Sequence, residues 1–345
     1  MRRRPHSRRR SKNCSKMLRS TDWHGMQAVE FSKGDYTALL IPGMGANLIR
    51  LTNTRLGAEI LRAPDDEVET FKGRPHVFGL PILFPPNRIE DGRYTFGGRT
   101  YRFPITNAKE HHYHHGILKS QPFAVSKAWE TGEEVLVECR YYSNAGNDAI
   151  FRDFPHEFKC KITFRLTTQG LEQEVMFANR SAESMPVGVG FHTPMQIPFA
   201  GGEAADYVMR VAVGEQVEMS GRNIPTGRKL PLSEQFARLR EGGLRVTDCE
   251  PIEAGFTLRE IEVDGKPFRG ALVENLRTGV RTFYEVDRQT TYWTIWNNGG
   301  RVPYCCPEPQ SWTTNAPNAA DPAAEGFQAI APGESWRMKF RLYAK

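Results

Sequence analysis

The chain has 345 residues, 39% of them hydrophobic and 25% charged, which is the balance of a globular protein long enough for one large core or two medium ones. No stretch approaches 18 uninterrupted apolar residues, so a transmembrane helix is excluded; the most apolar window, 77–86, is broken by Pro81, Pro85 and Pro86. The formal charge of +6 belongs to the start of the chain: residues 1–21 carry nine Lys/Arg and no acid, and the remainder holds 37 basic against 40 acidic residues.

A basic tail of this kind suits nucleic acid or an anionic membrane. The reading preferred here is a disordered leader, or translation upstream of a true start at Met17, with residues 22–345 as one domain. It lacks the apolar segment of a secretory signal. The mildly acidic body argues against a nucleic-acid or membrane partner. The six cysteines (Cys14, Cys139, Cys160, Cys249, Cys305 and Cys306) form no CxxC pair and read as buried reduced thiols of a cytoplasmic protein. Adjacent Cys305 and Cys306 should face opposite sides of a strand.

Past the tail, apolar residues recur every second position. Residues 36–53 read as two strands joined through a Gly-rich turn, and 92–103 as a hairpin with Gly97-Gly98 at its tip. Residues 135–143 form another strand. In 158–166, Phe158, Cys160, Ile162, Phe164 and Leu166 alternate with Lys159, Lys161, Thr163 and Arg165, the pattern of a half-buried antiparallel strand. Residues 171–181 should pair with it, and 207–215, 270–275, 280–286 and 291–298 continue the pattern. Only 233–243 reads as helix, with Ser233 as N-cap and Gly242 as its stop. Many short strands, evenly spread Gly and Pro and almost no helix predict an all-β fold, one large antiparallel β-sandwich.

Several segments carry residues suited to chemistry. In 79–94 an apolar run ends in Pro85-Pro86, followed by Asn87 and Arg88, whose fork of donors suits sugar hydroxyls. Residues 110–123 contain His111, His112, His114 and His115. On a strand His111 and His115 would share one face and His112 and His114 the other, so four imidazoles do not converge on a metal. Gly116 after His115 would let a ligand approach the backbone. His192 sits in an apolar surround, flanked by Gly188, Gly190 and Pro194 at what reads as a strand end. Glu308, between Pro307 and Pro309, is a carboxylate with little backbone freedom, also placed at a strand end. Two histidines and a carboxylate can move protons at neutral pH.

Four segments stand in one order: 79–103 (GLPILFPPNRIEDGRYTFGGRTYRF), 115–123 (HGILKSQPF), 170–199 (GLEQEVMFANRSAESMPVGVGFHTPMQIPF) and 307–318 (PEPQSWTTNAPN). Together they resemble the aldose 1-epimerase (galactose mutarotase-like) family from about residue 28 to the C-terminus. The resemblance implies a large antiparallel β-sandwich, the galactose mutarotase-like supersandwich, with a sugar cleft across one face. It implies an isomerase that interconverts the anomers of a hexose with no metal or organic cofactor. It assigns substrate binding to Arg88, sugar contact to His115, the general acid to His192 and the general base to Glu308, with acid and base on different walls of the cleft. Asn87 and Trp312 are further substrate-binding candidates; of Trp293 and Trp296, one should be core. The sequence departs from the family where an Asp that binds sugar hydroxyls usually precedes a Phe: Glu253 stands there as the substrate-binding candidate, with a longer reach, and Asp264 is the weaker stand-in.

Three other readings have residues behind them. A hexose 6-phosphate epimerase would need extra cations, which Arg74, Lys119 and Arg301 could supply. A carbohydrate-binding protein without catalysis is at odds with Arg88, His115, His192 and Glu308 occurring together. A metal-dependent enzyme would use the histidine-rich segment. The expected partner is a monosaccharide, and the expected state a monomer or homodimer.

Overall fold

The computed structural model describes residues 17–345 except 147, 246, 248, 249, 301 and 303. Most of the basic tail, Cys14, Cys249 and Arg301 therefore lie outside the described residues. Residues 18–21, assigned to the tail above, are strand: Leu18–Trp23 pairs with Met26–Lys33, and Arg19 bonds Glu30 across the pair at 2.6 Å. These strands begin a five-stranded antiparallel sheet completed by Tyr36–Ile41, Asn47–Asn53 and Ala58–Glu59.

Two larger antiparallel sheets follow. One runs Ala124–Glu130, Glu134–Ser143, Phe158–Thr167, Gly170–Asn179, Ser335–Ala344, Arg281–Val286, Gly270–Asn275 and Tyr207–Val211 in spatial order. The other runs Pro225–Leu230, Val213–Met219, Glu253–Leu258, Tyr292–Trp296, Tyr304–Gln310, Gly190–Phe191 and Ile82–Leu83, with Met195–Gln196 also on the Tyr304–Gln310 strand. They meet across one apolar core: Phe191 lies edge-on to Phe340 at 4.9 Å, and the Thr193 hydroxyl donates to the Tyr284 oxygen at 3.2 Å.

The alternation read in 158–166 is the alternation of burial. Its five apolar side chains are fully buried, each contributing about 1.5–3 kcal/mol relative to exposure. The expected single strand at 207–215 is instead two strands in different sheets, with a corner at Ala212, whose N–H donates to the Gly270 carbonyl. The expected helix is Glu234–Arg240; Ser233 accepts the Phe236 N–H, and Gly242 follows with φ 74°. Short helices Val68–Gly73 and Asp148–Phe151 were not expected. No helix of the described residues is long and apolar enough to cross a membrane.

Candidate active site

The site is built on the Tyr304–Gln310 strand. Glu308 lies inside this strand rather than at its end, directly opposite Thr294 of Tyr292–Trp296. On the other side, Gly190 pairs with Gln310 and Met195 with Cys305, and between them the ladder lapses. Pro307 and Pro309 occupy that gap, and a proline has no N–H to give a ladder. Both pairings share one register, which sets His192 opposite Glu308. The two side chains meet: His192 Nε2 is 3.2 Å from Glu308 Oε1. His192 and Glu308, expected on different walls, are cross-strand neighbours on one wall. By the same alternation Cys306 shares the Glu308 face, while Cys305 joins the apolar core.

A second segment closes the site. Asn87 takes φ 54°, a left-handed conformation that Asn tolerates, and accepts the His115 N–H on its carbonyl at 3.0 Å. Arg88 begins a short strand, Arg88–Glu90, paired with His112–His114. The strand period ends at His115, where φ is 64°. This breaks the expected alternation, so His114 and His115 both line the cavity, their rings stacked at 3.5 Å. His111 instead pairs with Asp91, and His112 is buried against the Arg222 carbonyl. Gly116 does not make room for a ligand. A Cβ there would stand 2.4 Å from the Phe84 backbone N, so the close approach is between two chain segments.

The cavity is about 690 Å³, within the range for small-molecule sites. Glu308, His192, His115, Arg88, Asn87 and Glu253 all line it. Trp312 does not: it is buried under Gly188 and stacks on Phe327 at 5.6 Å. The aromatic on the wall is Trp296, edge-on to His192 at 5.4 Å, while Trp293 is core.

Hydrogen bonds fix the polar wall. The Thr294 hydroxyl accepts from Asn87 Nδ2 and from Gln310 Nε2, both at 3.0 Å. Arg88 is buried and held on three sides: Nε donates to Glu110 at 3.1 Å, Nη1 to Asn87 Oδ1 at 3.1 Å and Nη2 to Glu253, which leaves two of its five N–H donors over. Asn107 and Asn223 hold Glu110 in turn. Glu253, at the departure from the family pattern, is thus the mouth-side partner of the arginine. Sequence reading missed Glu110 and His76. The His76 ring lies 4.7 Å from His115 and 5.6 Å from His192, and no local pattern around Pro75-His76 announces it.

Burial sets the charge states. It pushes the Glu308 carboxyl well above the usual range; the charge on Glu253 adds to the rise, and Arg88 and Gln310 oppose it. Burial also lowers His192 to about 3 and His76 to about 2, and holds His114 and His115 well below the ordinary imidazole value. A buried wall that resists charge of either sign favours one shared proton on the His192–Glu308 pair, leaving it neutral overall. Glu308 Oε2 and His192 Nδ1 are buried without a hydrogen-bond partner. Among the described residues no three His, Cys, Asp or Glu side chains converge as a metal site requires.

Comparison with known proteins agrees with this architecture. The family model described as Aldose 1-epimerase matches residues 27–343. A galactose mutarotase-like protein from Clostridium acetobutylicum superposes with a TM-score of 0.92 at 36% identity, over 95% of this chain and 98% of that one. Galactose mutarotase from Mus musculus is 24% identical over 200 residues, 58% of this chain and 53% of the mouse protein. The chain thus spans about half the length of the curated relatives it matches. Galactose 1-epimerase from Lactobacillus acidophilus shares the fold at 12% identity, with a TM-score of 0.71.

Proposed function

The chain belongs to the aldose 1-epimerase family, a family of isomerases, and on that premise we propose that it interconverts the α and β anomers of a hexose. The observation that carries this reading is the contact of His192 with Glu308 at 3.2 Å on the wall of a cavity that also holds Arg88 and His115.

The reaction must remove the proton of the anomeric hydroxyl and deliver one to the ring oxygen, so that the bond from C1 to the ring oxygen breaks. Both oxygens are bonded to C1. An acceptor and a donor that touch each other can therefore serve both. Burial rests the shared proton on Glu308; once it crosses the 3.2 Å contact to His192, Glu308 takes the hydroxyl proton and His192 gives its own to the ring oxygen. Glu308 Oε2, free of other hydrogen bonds, is the oxygen suited to receive it. The pair ends neutral, as it began, so the buried wall never carries a net charge. The open aldehyde turns about C1–C2 and recloses with the roles exchanged. Each positioned transfer is typically worth about 10²–10⁴ in rate. His115 and Arg88 bind the sugar's hydroxyl oxygens and orient the ring.

Polarimetry tests the reading. Fresh α-D-glucose or α-D-galactose should approach anomeric equilibrium faster with enzyme than without. No acceleration with any hexose, free or charged, would overturn it.

A further inference from the structure

The sugar cavity carries cations that the proposed chemistry leaves unused. Lys119 lines the wall half-buried and donates to two backbone carbonyls, those of His115 at 3.2 Å and Gly116 at 3.0 Å. An ammonium has three N–H donors, so these contacts leave one over. Lys119 forms no ion pair among the described residues, although a lysine withdrawn from water is ordinarily paired. Arg74 and Lys109 line the same cavity at its exposed rim, where a solvated cation needs no partner, so the weight of the observation falls on Lys119. Arg88 differs, being held by Glu110 and Glu253.

The balance of charge around the cavity is therefore positive. Arg74, Lys109 and Lys119 face one wall carboxylate, Glu253, which is already engaged by Arg88, and Glu308, whose charge is shared with His192. The charges of Arg74 and Lys119 both act on His76, and that of Arg74 reaches His192, which ties these cations to the reacting end of the cavity. Burial lowers the Lys119 ammonium to about 8, a cost that two backbone carbonyls offset in part and no carboxylate among the described residues offsets. A neutral hexose offers only hydroxyl dipoles to these groups. Solvated lysines and arginines on an outer face would need no explanation; a half-buried lysine bonded to carbonyls beside an imidazole cluster does.

We propose that Lys119 and Arg74 form an anion subsite of the sugar cavity, and that the preferred substrate is a hexose bearing a carboxylate or phosphate group. This rests on the anomer-interconversion reading for its chemistry, but its binding claim stands apart from turnover. Arginine presents a planar fork and lysine a point charge, a combination able to hold any of these tetrahedral or planar anions.

The test compares D-glucose, D-glucuronate and D-glucose 6-phosphate by exchange NMR between equilibrated anomers, which reads turnover even where spontaneous exchange is fast. At least one charged sugar should show a KM about tenfold or more below glucose, and whether the carboxylate or the phosphate ester wins identifies the anion. Lys119→Gln should remove most of that preference and Lys119→Arg restore part of it, with Arg74→Ala as a surface variant that tests the subsite without disturbing the wall. Equal KM values for charged and neutral sugars, or loss by the same factor for both in Lys119→Gln, would overturn the subsite while leaving anomer interconversion intact. If no sugar turns over, anomer interconversion fails, and calorimetry decides the subsite alone. Saturable, salt-weakened binding of a charged sugar that Lys119→Gln and Arg74→Ala both weaken supports it; no such binding refutes it.

Discussion

Glu308→Gln separates catalysis from folding. Gln keeps the shape of Glu and still offers an oxygen to His192 Nε2 across the 3.2 Å contact. It removes the base, worth roughly 10²–10⁴ in rate. It also removes the group that shares a proton with His192, so the acid loses its partner in the same step. Residues that act as a unit lose their contributions together, and kcat should fall toward the far end of that range, about 10³–10⁴. Stability should move the other way. The folded-state pKa of Glu308 lies above its unfolded value, so its contribution is fully present below the unfolded pKa and is lost as pH rises through the folded one. At pH 7.5 a neutral amide avoids that loss. The melting temperature of Glu308→Gln should equal or exceed that of wild type while hexose binding by calorimetry persists. The assay is polarimetry on fresh α-D-galactose, paired with a thermal melt in the same buffer. A variant keeping a tenth or more of wild-type kcat would remove Glu308 from the mechanism. A melt several degrees lower would refute the burial argument.

Trp296, on the cavity wall, and Trp312, buried away from it, should divide by function. Trp312→Ala, which empties a buried site, should cost about 3–5 kcal/mol and leave the KM of the surviving folded enzyme near wild type, whereas Trp296→Ala should raise KM with a smaller shift in melting temperature. Gly116→Ala should lose more than about 2 kcal/mol, because φ is 72° and the Phe84 backbone leaves no room; kcat should fall with it as His115 moves, as melts and polarimetry would record. Urea midpoints should fall as pH drops from 6.5 toward 4. His76 (about 2), His156 (about 4) and His192 (about 3) stay neutral when folded but bind protons once unfolded, so the unfolded state gains protons across that window. Glu308, whose folded pKa is raised, works in the opposite direction, so the fall should be steeper in Glu308→Gln; a flat profile in both proteins would contradict the neutral buried imidazoles.

The strand periodicity of this chain was legible because one face of each main strand is buried. Residues 158–166 show it plainly, and the helix after Ser233 announced itself through its cap and stop. Residues 207–215 were read as one strand because alternation does not reveal a corner. Ala212 is small and apolar on either side of the bend, and what turns the chain there is its pairing with Gly270, more than fifty residues away. The family membership was legible from segments that keep their order.

The geometry of the candidate site was less accessible, and the prolines explain why. Pro307 and Pro309 marked Glu308 as constrained, which suggested a strand end, since proline is rare inside sheets. The strand instead runs through them because its far-side partner has lapsed over the same residues. That lapse keeps the register on both sides of it, and register alone brings His192 against Glu308. A local rule, that proline interrupts pairing, was right. What it could not say is that the interruption spans a single gap between two short strands of one partner, and that the gap is where His192 and Glu308 face each other. The same limit applies to His76 and Glu110. Each enters the site from a loop or short helix whose position is set by distant contacts, such as the Asn47 amide donating to the Pro75 carbonyl. A sequence reader who knew the register of Tyr304–Gln310 would have had His192 at once and still not His76.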